Sequence, residues 1–167
     1  MRIILATLWL LVPLGFAAYH YGPGQEQVKL DHTEVFLAQA RSAVQDKNWN
    51  SAIESYQKAL AKLPKENKET SMRIQLEIAK AKMQNSGLPE AREDLAELIS
   101  QLNEDTTISS ELKEETLSTL ANARYYMTYL MKLEGLPAEE WEPEIEAARQ
   151  EYKLLAQTGS DKEKHLS

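Results

Sequence analysis

Residues 33–66 carry the pattern that most restricts how this chain can fold. Ala40, Ala52 and Ala59 are small residues at the positions where two antiparallel helices would cross at short distance. Tyr56 stands between the last two alanines and supplies one aromatic side chain to fill the space beside the crossing. The segment therefore predicts two helices joined by a short turn.

The ends of these two helices are also marked in the sequence. Asp31 is a candidate N-cap with Glu34 three residues later, an arrangement in which each side chain satisfies a free amide of the first turn. We therefore expect the first helix over residues 31–46. Pro64 ends the second helix, because proline has no amide hydrogen to donate to the helical ladder.

The same arrangement returns in a second copy. Ala79 and Ala91 are twelve residues apart, as Ala40 and Ala52 are in the first copy. Gly87 lies between the two alanines of the second copy and is the expected C-cap of its first helix. This spacing predicts a second helical hairpin.

A third copy departs from the pattern in its turn. Ala123 and Ala148 are twenty-five residues apart instead of twelve. We expect the first helix of this copy to end at Gly135 and to be followed by a swollen loop that contains Trp141 and Pro143. In this arrangement the sequence predicts three hairpins, the last of them with an enlarged connection.

The three copies resemble tetratricopeptide repeats over residues 33–157, most closely in the first copy. The resemblance implies an all-α fold, a TPR-like α-solenoid of about three helical hairpins and six helices that follows an N-terminal apolar helix. In that family the concave face, lined by the first helix of each pair, binds peptides or partner proteins. A protein or peptide partner is therefore expected.

The N-terminal segment has the character of an export signal. Residues 3–18 are almost wholly apolar and follow Arg2, which with the amino terminus gives a short positive region. Cleavage after Ala17 or Ala18 would release the rest of the chain into the periplasm. Alternatively the segment stays as an inner-membrane anchor, extended by the interfacial aromatic residues Tyr19 and Tyr21, or packs as a buried helix.

These observations divide the chain into four parts. In either of the first two cases the C-terminal domain lies outside the cytoplasm, and an uncleaved segment makes the membrane a partner. The predicted parts are a signal peptide or membrane anchor at 1–18, a linker at 19–30, a TPR-like helical domain at 31–158 and a flexible tail at 159–167.

Composition excludes several classes of function. The chain has a formal net charge of −7, with its 26 acidic residues spread along the whole length, so it lacks the basic surface that nucleic-acid binding requires. It has no cysteine, which excludes disulfides, thiolate metal sites and cysteine nucleophiles. We therefore expect no nucleic acid among its partners.

One repeat position is basic in every copy. The residue after the aligned alanine is Arg41, Lys80 or Arg124, and this position is expected to face the groove in the family that the chain resembles. A ladder of cations would suit a carboxylate or an acidic peptide. The alternative is that these are ordinary solvated side chains. The apolar and aromatic residues expected to line the same groove are Leu37, Leu76 and Tyr125.

Three tyrosines within five residues form a second feature of the third copy. Tyr126 is expected to fill the third hairpin, while Tyr129 and Leu133 pack beneath the loop with Trp141. Tyr125 is then expected to point away from this packing and toward a partner, because residues so close in sequence cannot all share one helix face.

The sequence gives no positive sign of catalysis. Its adjacent acidic pairs, such as Glu139 and Glu140, diverge by about 100° on a helix and cannot converge on one substrate. Nucleophile, phosphate-loop and zinc motifs are not found, so no enzyme activity, cofactor or metal is expected. We expect a non-enzymatic interaction scaffold of the bacterial envelope. The alternatives are a constitutive anchored subunit of a larger membrane complex and an enzyme or ligand-binding helical domain whose site forms from Arg124, Tyr125 and Trp141.

Overall fold

The computed structural model describes the backbone of residues 23–166 and the side chains of residues 31–158. These residues form six α-helices and no strand, which confirms the all-helical class. The helices are α1 (Pro23–Gln45), α2 (Trp49–Lys62), α3 (Lys68–Gln84), α4 (Leu88–Glu104), α5 (Ser110–Leu133) and α6 (Ala138–Leu166). Each helix packs on the next one in sequence, and α3 also contacts α5.

Helix α1 begins earlier than predicted. It starts at Pro23, a residue that suits the first turn of a helix because the amides there have no helical partner. Asp31 consequently lies inside the helix and does not cap it, and the predicted linker is helical from Pro23 onward. The proposed signal or anchor at 1–18 lies outside the described residues. Within 23–166, no helix is both long and apolar enough to cross a membrane.

The first helix of each hairpin ends in the same kind of turn. The residues after the C-caps of α1, α3 and α5 adopt the left-handed conformation: Lys47, Ser86 and Gly135 have φ of 56°, 61° and 75°. In each case the next amide donates back to the carbonyl five residues earlier, as Leu136 N does to Met131 O at 3.0 Å. This is the hydrogen-bond pattern of the Schellman motif, and it confirms Gly135 as the end of α5.

The prediction that Gly87 is the C-cap of α3 is wrong, because Asn85 holds that position and Gly87 is the N-cap of α4. Ser86 takes the left-handed conformation instead, and Gly87 N donates to Lys82 O at 2.9 Å. A Cβ atom at Gly87 would lie 3.3 Å from that carbonyl oxygen. Glycine is therefore favoured here because the backbone of Gly87 lies close to the Lys82 carbonyl, and not because this position has a positive φ.

The third hairpin has longer helices, not a swollen loop. Helix α5 runs ten residues beyond Ala123, whereas α1 and α3 end five residues beyond their aligned alanines. Helix α6 begins ten residues before Ala148, whereas α2 and α4 begin three residues before theirs. The connection at 134–137 is thus nearly as short as the other two, and the predicted loop residues Trp141 and Pro143 lie within α6.

Pro143 accounts for this error. Proline is a strong sign of a helix end, but here it lies early in α6 on an exposed face. The carbonyl that loses its amide partner belongs to Glu139, in the solvent-facing first turn, so water can replace the missing bond. The other end of α6 also differs from expectation, because the helix continues through the predicted tail to Leu166.

Two apolar cores hold the first five helices together. One lies among α1, α2 and α3 and contains the buried residues Ala40, Ala52, Tyr56 and Ala59. The other lies among α3, α4 and α5 and includes Leu95, which is completely buried. Because α3 contributes to both cores, it is apolar on two sides. The small crossing residues and the aromatic plug predicted for the first hairpin are therefore confirmed.

Candidate functional site

A cavity of about 530 Å³ lies between the first two hairpins. Helices α1 and α3 supply most of its wall, α2 supplies one aromatic residue and α5 closes one side. The lining residues are Leu37, Arg41, Val44, Gln45, Tyr56, Thr70, Arg73, Ile74, Leu76, Glu77 and Glu115. We call this cavity the groove.

The floor of the groove is apolar and rigid. Leu37, Tyr56 and Leu76 are 6%, 5% and 1% exposed, so they belong to the two cores and present only their edges to the groove. Burial raises the pKa of the Tyr56 hydroxyl, and the carboxylate of Glu77 raises it further. Tyr56 therefore stays neutral and can offer its hydroxyl to a bound group at neutral pH.

The rim of the groove carries charges of both signs. Arg41 is exposed and makes no ion pair with any residue in the described range. Arg73 is partly satisfied, since its Nη2 atom donates to Glu69 Oε1 at 3.0 Å and to Ser109 Oγ at 3.4 Å. Hydrogen bonds from Ser109 and Arg73 lower the pKa of the Glu69 carboxyl. The rim is thus a mixed polar border with Arg41 as its available cation.

Lys80 is held between two carboxylates. Its Nζ atom donates to Glu115 Oε1 at 2.6 Å and to Glu77 Oε1 at 2.8 Å. Burial by itself would lower the pKa of Lys80, but the two hydrogen-bonded carboxylates outweigh it and raise that pKa. Lys80 therefore joins α3 to α5 at the edge of the groove as a charged tie.

Arg124 lies away from the groove, between α5 and α6. Its Nη1 atom donates to Glu144 Oε2 at 2.8 Å, and its Nε atom donates to Glu151 Oε1 at 3.0 Å. Glu144 also approaches Arg92 of α4, with Oε1 and Nη1 at 3.5 Å. These four side chains form an ion-pair network that connects α4, α5 and α6.

The network is largely removed from solvent. The side chains of Arg124, Glu144 and Glu151 are 18%, 18% and 15% exposed. Burial raises the pKa of the Glu151 carboxyl, although the positive charge of Arg124 opposes the shift. Since Ala148 is the buried apolar residue that α6 contributes within residues 31–158, charged contacts replace an apolar core in much of this interface.

The tyrosine run on α5 points largely to solvent. Tyr125 is 54% exposed and stacks edge-on against Tyr126, and neither residue lines the groove. Tyr126, Tyr129 and Leu133 are 55%, 58% and 66% exposed, so the predictions that they fill the hairpin or pack beneath a loop are wrong. Their covering loop does not exist, because Trp141 belongs to α6 and holds Lys132 Nζ 3.7 Å from its ring centre.

The structure therefore brings part of the predicted site together. Leu37, Arg41 and Leu76 meet in the groove, and Lys80 reaches it through its carboxylate partners. Arg124 and Tyr125 do not belong to it. The basic column is thus not a ladder of three free cations, since two of its members are neutralised by two carboxylates each.

The groove residues that sequence reasoning missed include Tyr56 as a lining residue and the charged residues Arg73, Glu77 and Glu115. Part of the signal was present. Arg73, Glu77 and Lys80 are spaced at i, i+4 and i+7, so they share the helix face on which Lys80 lies. Glu115 comes from a different hairpin and had no comparable local signal.

Comparison with protein-family models, curated proteins and solved structures finds no match for this chain.

Proposed function

We propose that this protein is a non-enzymatic interaction scaffold of the bacterial envelope, exported or anchored through residues 1–18, that binds a segment of a partner protein in the groove. The observation that carries the proposal is the groove itself, an open cavity with an apolar floor and a mixed charged rim between the first helices of successive hairpins. Such a site binds side chains and backbone polar groups without requiring reactive residues.

The packing order supports a TPR-like solenoid for this scaffold. Helices α1 to α6 contact one another in sequence, and the contact between α3 and α5 brings together the first helices of the second and third hairpins. In a solenoid of this kind, the first helices line the concave surface and a partner lies across them. The groove is bordered by α1, α3 and α5, which is the arrangement such binding needs.

The charged residues at the rim of the groove restrict which side chains a partner segment can carry. Arg41 is free among the described residues, whereas Lys80 is held by Glu77 and Glu115. A strongly acidic peptide would meet these carboxylates as well as the arginine. We therefore propose a partner segment that places one apolar side chain over Tyr56 and one carboxylate beside Arg41, in place of a highly acidic sequence.

A site-specific crosslinker tests the proposal in cells. A photoreactive amino acid at Gln45, on the groove wall, should capture a partner protein that the same amino acid at Lys58 does not capture. Lys58 is a matched control because it is exposed on α2 and does not line the groove. Peptides from the captured segment can then be titrated against the purified chain by fluorescence anisotropy.

The titration distinguishes the groove from any other surface. We expect Arg41→Ala to weaken binding of the captured segment by about tenfold, because one charge-assisted hydrogen bond is lost. Lys58→Ala should leave the affinity unchanged. Equal affinity for both variants and the unmodified chain, with intact helicity by circular dichroism, would remove the groove as the binding site.

The exposed apolar residues of α5 favour a second candidate function, a constitutive anchored subunit of a larger membrane complex. Tyr129 and Leu133 would be covered permanently in such a complex. Mild detergent extraction in a fixed stoichiometry with other subunits supports this function. A stable monomer in the soluble periplasmic fraction contradicts it.

A further inference from the structure

The C-terminal half of α5 exposes a continuous row of large apolar side chains. Tyr125, Tyr126, Tyr129, Leu130 and Leu133 are between 42% and 66% exposed. We call these five residues the α5 stripe. Single exposed apolar residues are common on protein surfaces, but five on one helix within nine positions form a patch.

Helical spacing makes the stripe one surface. Tyr125, Tyr129 and Leu133 follow at four-residue intervals, and Tyr126 and Leu130 form a parallel row beside them. The stripe extends for about 12 Å along the helix axis. Leu133 is eighteen residues from Glu115, so about 27 Å of helix separates the far end of the stripe from the groove.

The extra length of α5 explains why the end of the stripe is uncovered. Gln84, the last residue of α3, aligns with Thr128 when the repeats are matched on Ala79 and Ala123. Tyr129, Leu130 and Leu133 therefore lie beyond the level at which the neighbouring first helix stops. Fold stability does not require these side chains to be apolar, because they are exposed.

The stripe ends with Leu133 at the tip of the third hairpin, and this tip, which forms the border of the stripe, is acidic. Glu134, Glu139, Glu140 and Glu142 are exposed around the tip of the third hairpin, and none forms an ion pair with another residue in 31–158. Lys132 is the nearby cation, and it is engaged over the Trp141 ring. An apolar surface with an uncompensated negative border thus faces solvent.

We propose that the α5 stripe docks an amphipathic helix of a partner protein whose apolar face is flanked by lysine or arginine. Two parallel rows at four-residue spacing form ridges that accept the side chains of a second helix. The four carboxylates select a basic flank by charge complementarity. This surface is separate from the groove, and the proposal does not depend on groove binding.

The charges disfavour the other two occupants. A second copy of this chain docked through the same surface would add four more carboxylates to the interface and no basic flank to pair with them, because a symmetric dimer uses the same patch on both partners. An anionic membrane surface would repel the same border. Glu139 and Glu140 also stabilise the first turn of α6 through its helix dipole, so the border has to be tested by binding and not by stability alone.

A labelled model helix provides the first test. The probe is a synthetic 18-residue leucine–lysine amphipathic peptide, and its control has the same leucines with glutamate in place of lysine. Fluorescence anisotropy with the full-length protein should show binding of the lysine peptide and at least about tenfold weaker binding of the glutamate peptide. Equal affinity for the two peptides would overturn the role of the border.

Variants assign the binding to the stripe. Tyr129→Ser combined with Leu133→Ser should weaken binding of the lysine peptide by about tenfold or more. The matched control is Val35→Ser combined with Leu154→Ser, two comparably exposed apolar residues elsewhere on the surface, which should leave affinity unchanged. Arg41→Ala should also leave it unchanged. Equal losses in both double variants would overturn the proposal, and circular dichroism checks that each variant is folded.

Charge reversal and two further measurements distinguish a basic partner helix from a second copy of the chain and from a membrane as the group that covers the stripe. Glu139→Lys, Glu140→Lys and Glu142→Lys together should transfer the preference to the glutamate peptide. In sedimentation velocity, the unmodified chain should not form dimers that depend on Tyr129. The chain should also not bind neutral phosphatidylcholine vesicles through the stripe. Stripe-dependent dimerisation would assign the surface to a second copy, and stripe-dependent vesicle binding would assign it to a membrane; either result overturns the proposal.

Discussion

Arg124 Nη1 donates to Glu144 Oε2 at 2.8 Å across the interface of α5 and α6, where both side chains are 18% exposed. This contact turns an arginine that the repeat alignment placed in the groove into a structural residue. Removing the guanidinium leaves Glu144 and Glu151 close together and largely buried without their shared partner. We expect Arg124→Met to lower the free energy of unfolding by about 2 kcal/mol, measured by urea denaturation.

Two comparisons make this expectation specific. Adding Glu144→Gln and Glu151→Gln to Arg124→Met should recover part of the loss, because neither side chain is then a buried carboxylate without its arginine, and Arg92 keeps Glu93 as a partner at 3.5 Å. Arg149→Met removes an exposed pair with Glu146, whose atoms lie 3.5 Å apart, and should cost less than about 0.5 kcal/mol. Equal losses for Arg124→Met and Arg149→Met would contradict the structural role of the network.

The connection between α4 and α5 should make stability depend on acidic pH. The side chain and backbone of Thr107 donate to Asp105 Oδ1 at 2.6 and 3.0 Å, and with Lys68 they lower the pKa of Asp105 to about 2. A lowered native pKa means that the stabilisation is present above the ordinary aspartate pKa and is lost as pH falls toward about 2. Asp105→Asn should flatten this part of the profile of melting temperature against pH.

A second variant tests the cause of that pH dependence. Thr107→Val keeps the backbone amide but removes the hydroxyl donor, so the pKa of Asp105 should rise toward its ordinary value. In the profile of melting temperature against pH, the fall on the acid side should then become smaller and be complete at a higher pH. An unchanged acid limb in both Asp105→Asn and Thr107→Val would show that the hydrogen bonds in this connection do not control acid stability.

Substitutions at two of the hairpin turns should change the stability of the fold in opposite directions. Gly135 has φ of 75°, and a Cβ atom added there would meet no other heavy atom within 4 Å. Gly135→Ala therefore introduces backbone strain without a clash and should destabilise by about 1 kcal/mol. Ser86 adopts φ of 61° without being glycine, so Ser86→Gly should relieve strain and stabilise by about 0.5 kcal/mol. Thermal unfolding by circular dichroism measures both effects, and the same sign for both substitutions would contradict this account.

The second core should be sensitive to lost volume. Leu95 is completely buried among α3, α4 and α5, so Leu95→Ala removes apolar contacts and leaves a cavity. We expect a loss of about 3 kcal/mol in the free energy of unfolding, measured by urea denaturation. Leu154→Ala makes the same chemical change at a residue that is 49% exposed, and its cost should be below about 1 kcal/mol.

The hairpins were predictable where local pattern and packing agreed. Ala40, Ala52 and Tyr56 are spaced for a helix crossing, and the structure buries all three. The start of α1 was missed because Asp31 has the chemistry of an N-cap although the helix continues past it to Pro23. The connection in the third hairpin was predicted to be a long loop because proline usually marks a helix end. Pro143 instead lies in an early, exposed turn of α6, where a helix tolerates proline.

The site was less predictable because its side chains depend on partners from other hairpins. Lys80 is paired with Glu115 of α5, and Arg124 is paired with Glu144 and Glu151 of α6. A repeat alignment compares equivalent positions and contains no information about such cross-helix pairs. Leu37, Arg41 and Val44 share one face of α1 through helical periodicity alone, and all three line the cavity.

The three hairpins end in the same left-handed turn, at Lys47, Ser86 and Gly135. Because the turn is the same whatever the length of the helices, the length of a hairpin can vary independently of the place where its helices cross. Matching additions to both helices would move the turn outward in steps of about 5.4 Å while the small residues at the crossing keep their places. The third hairpin already has both of its helices extended, by five residues in α5 and by seven in α6. The part of this hairpin beyond the helix crossing can therefore be lengthened or shortened without changing the core residues that support it.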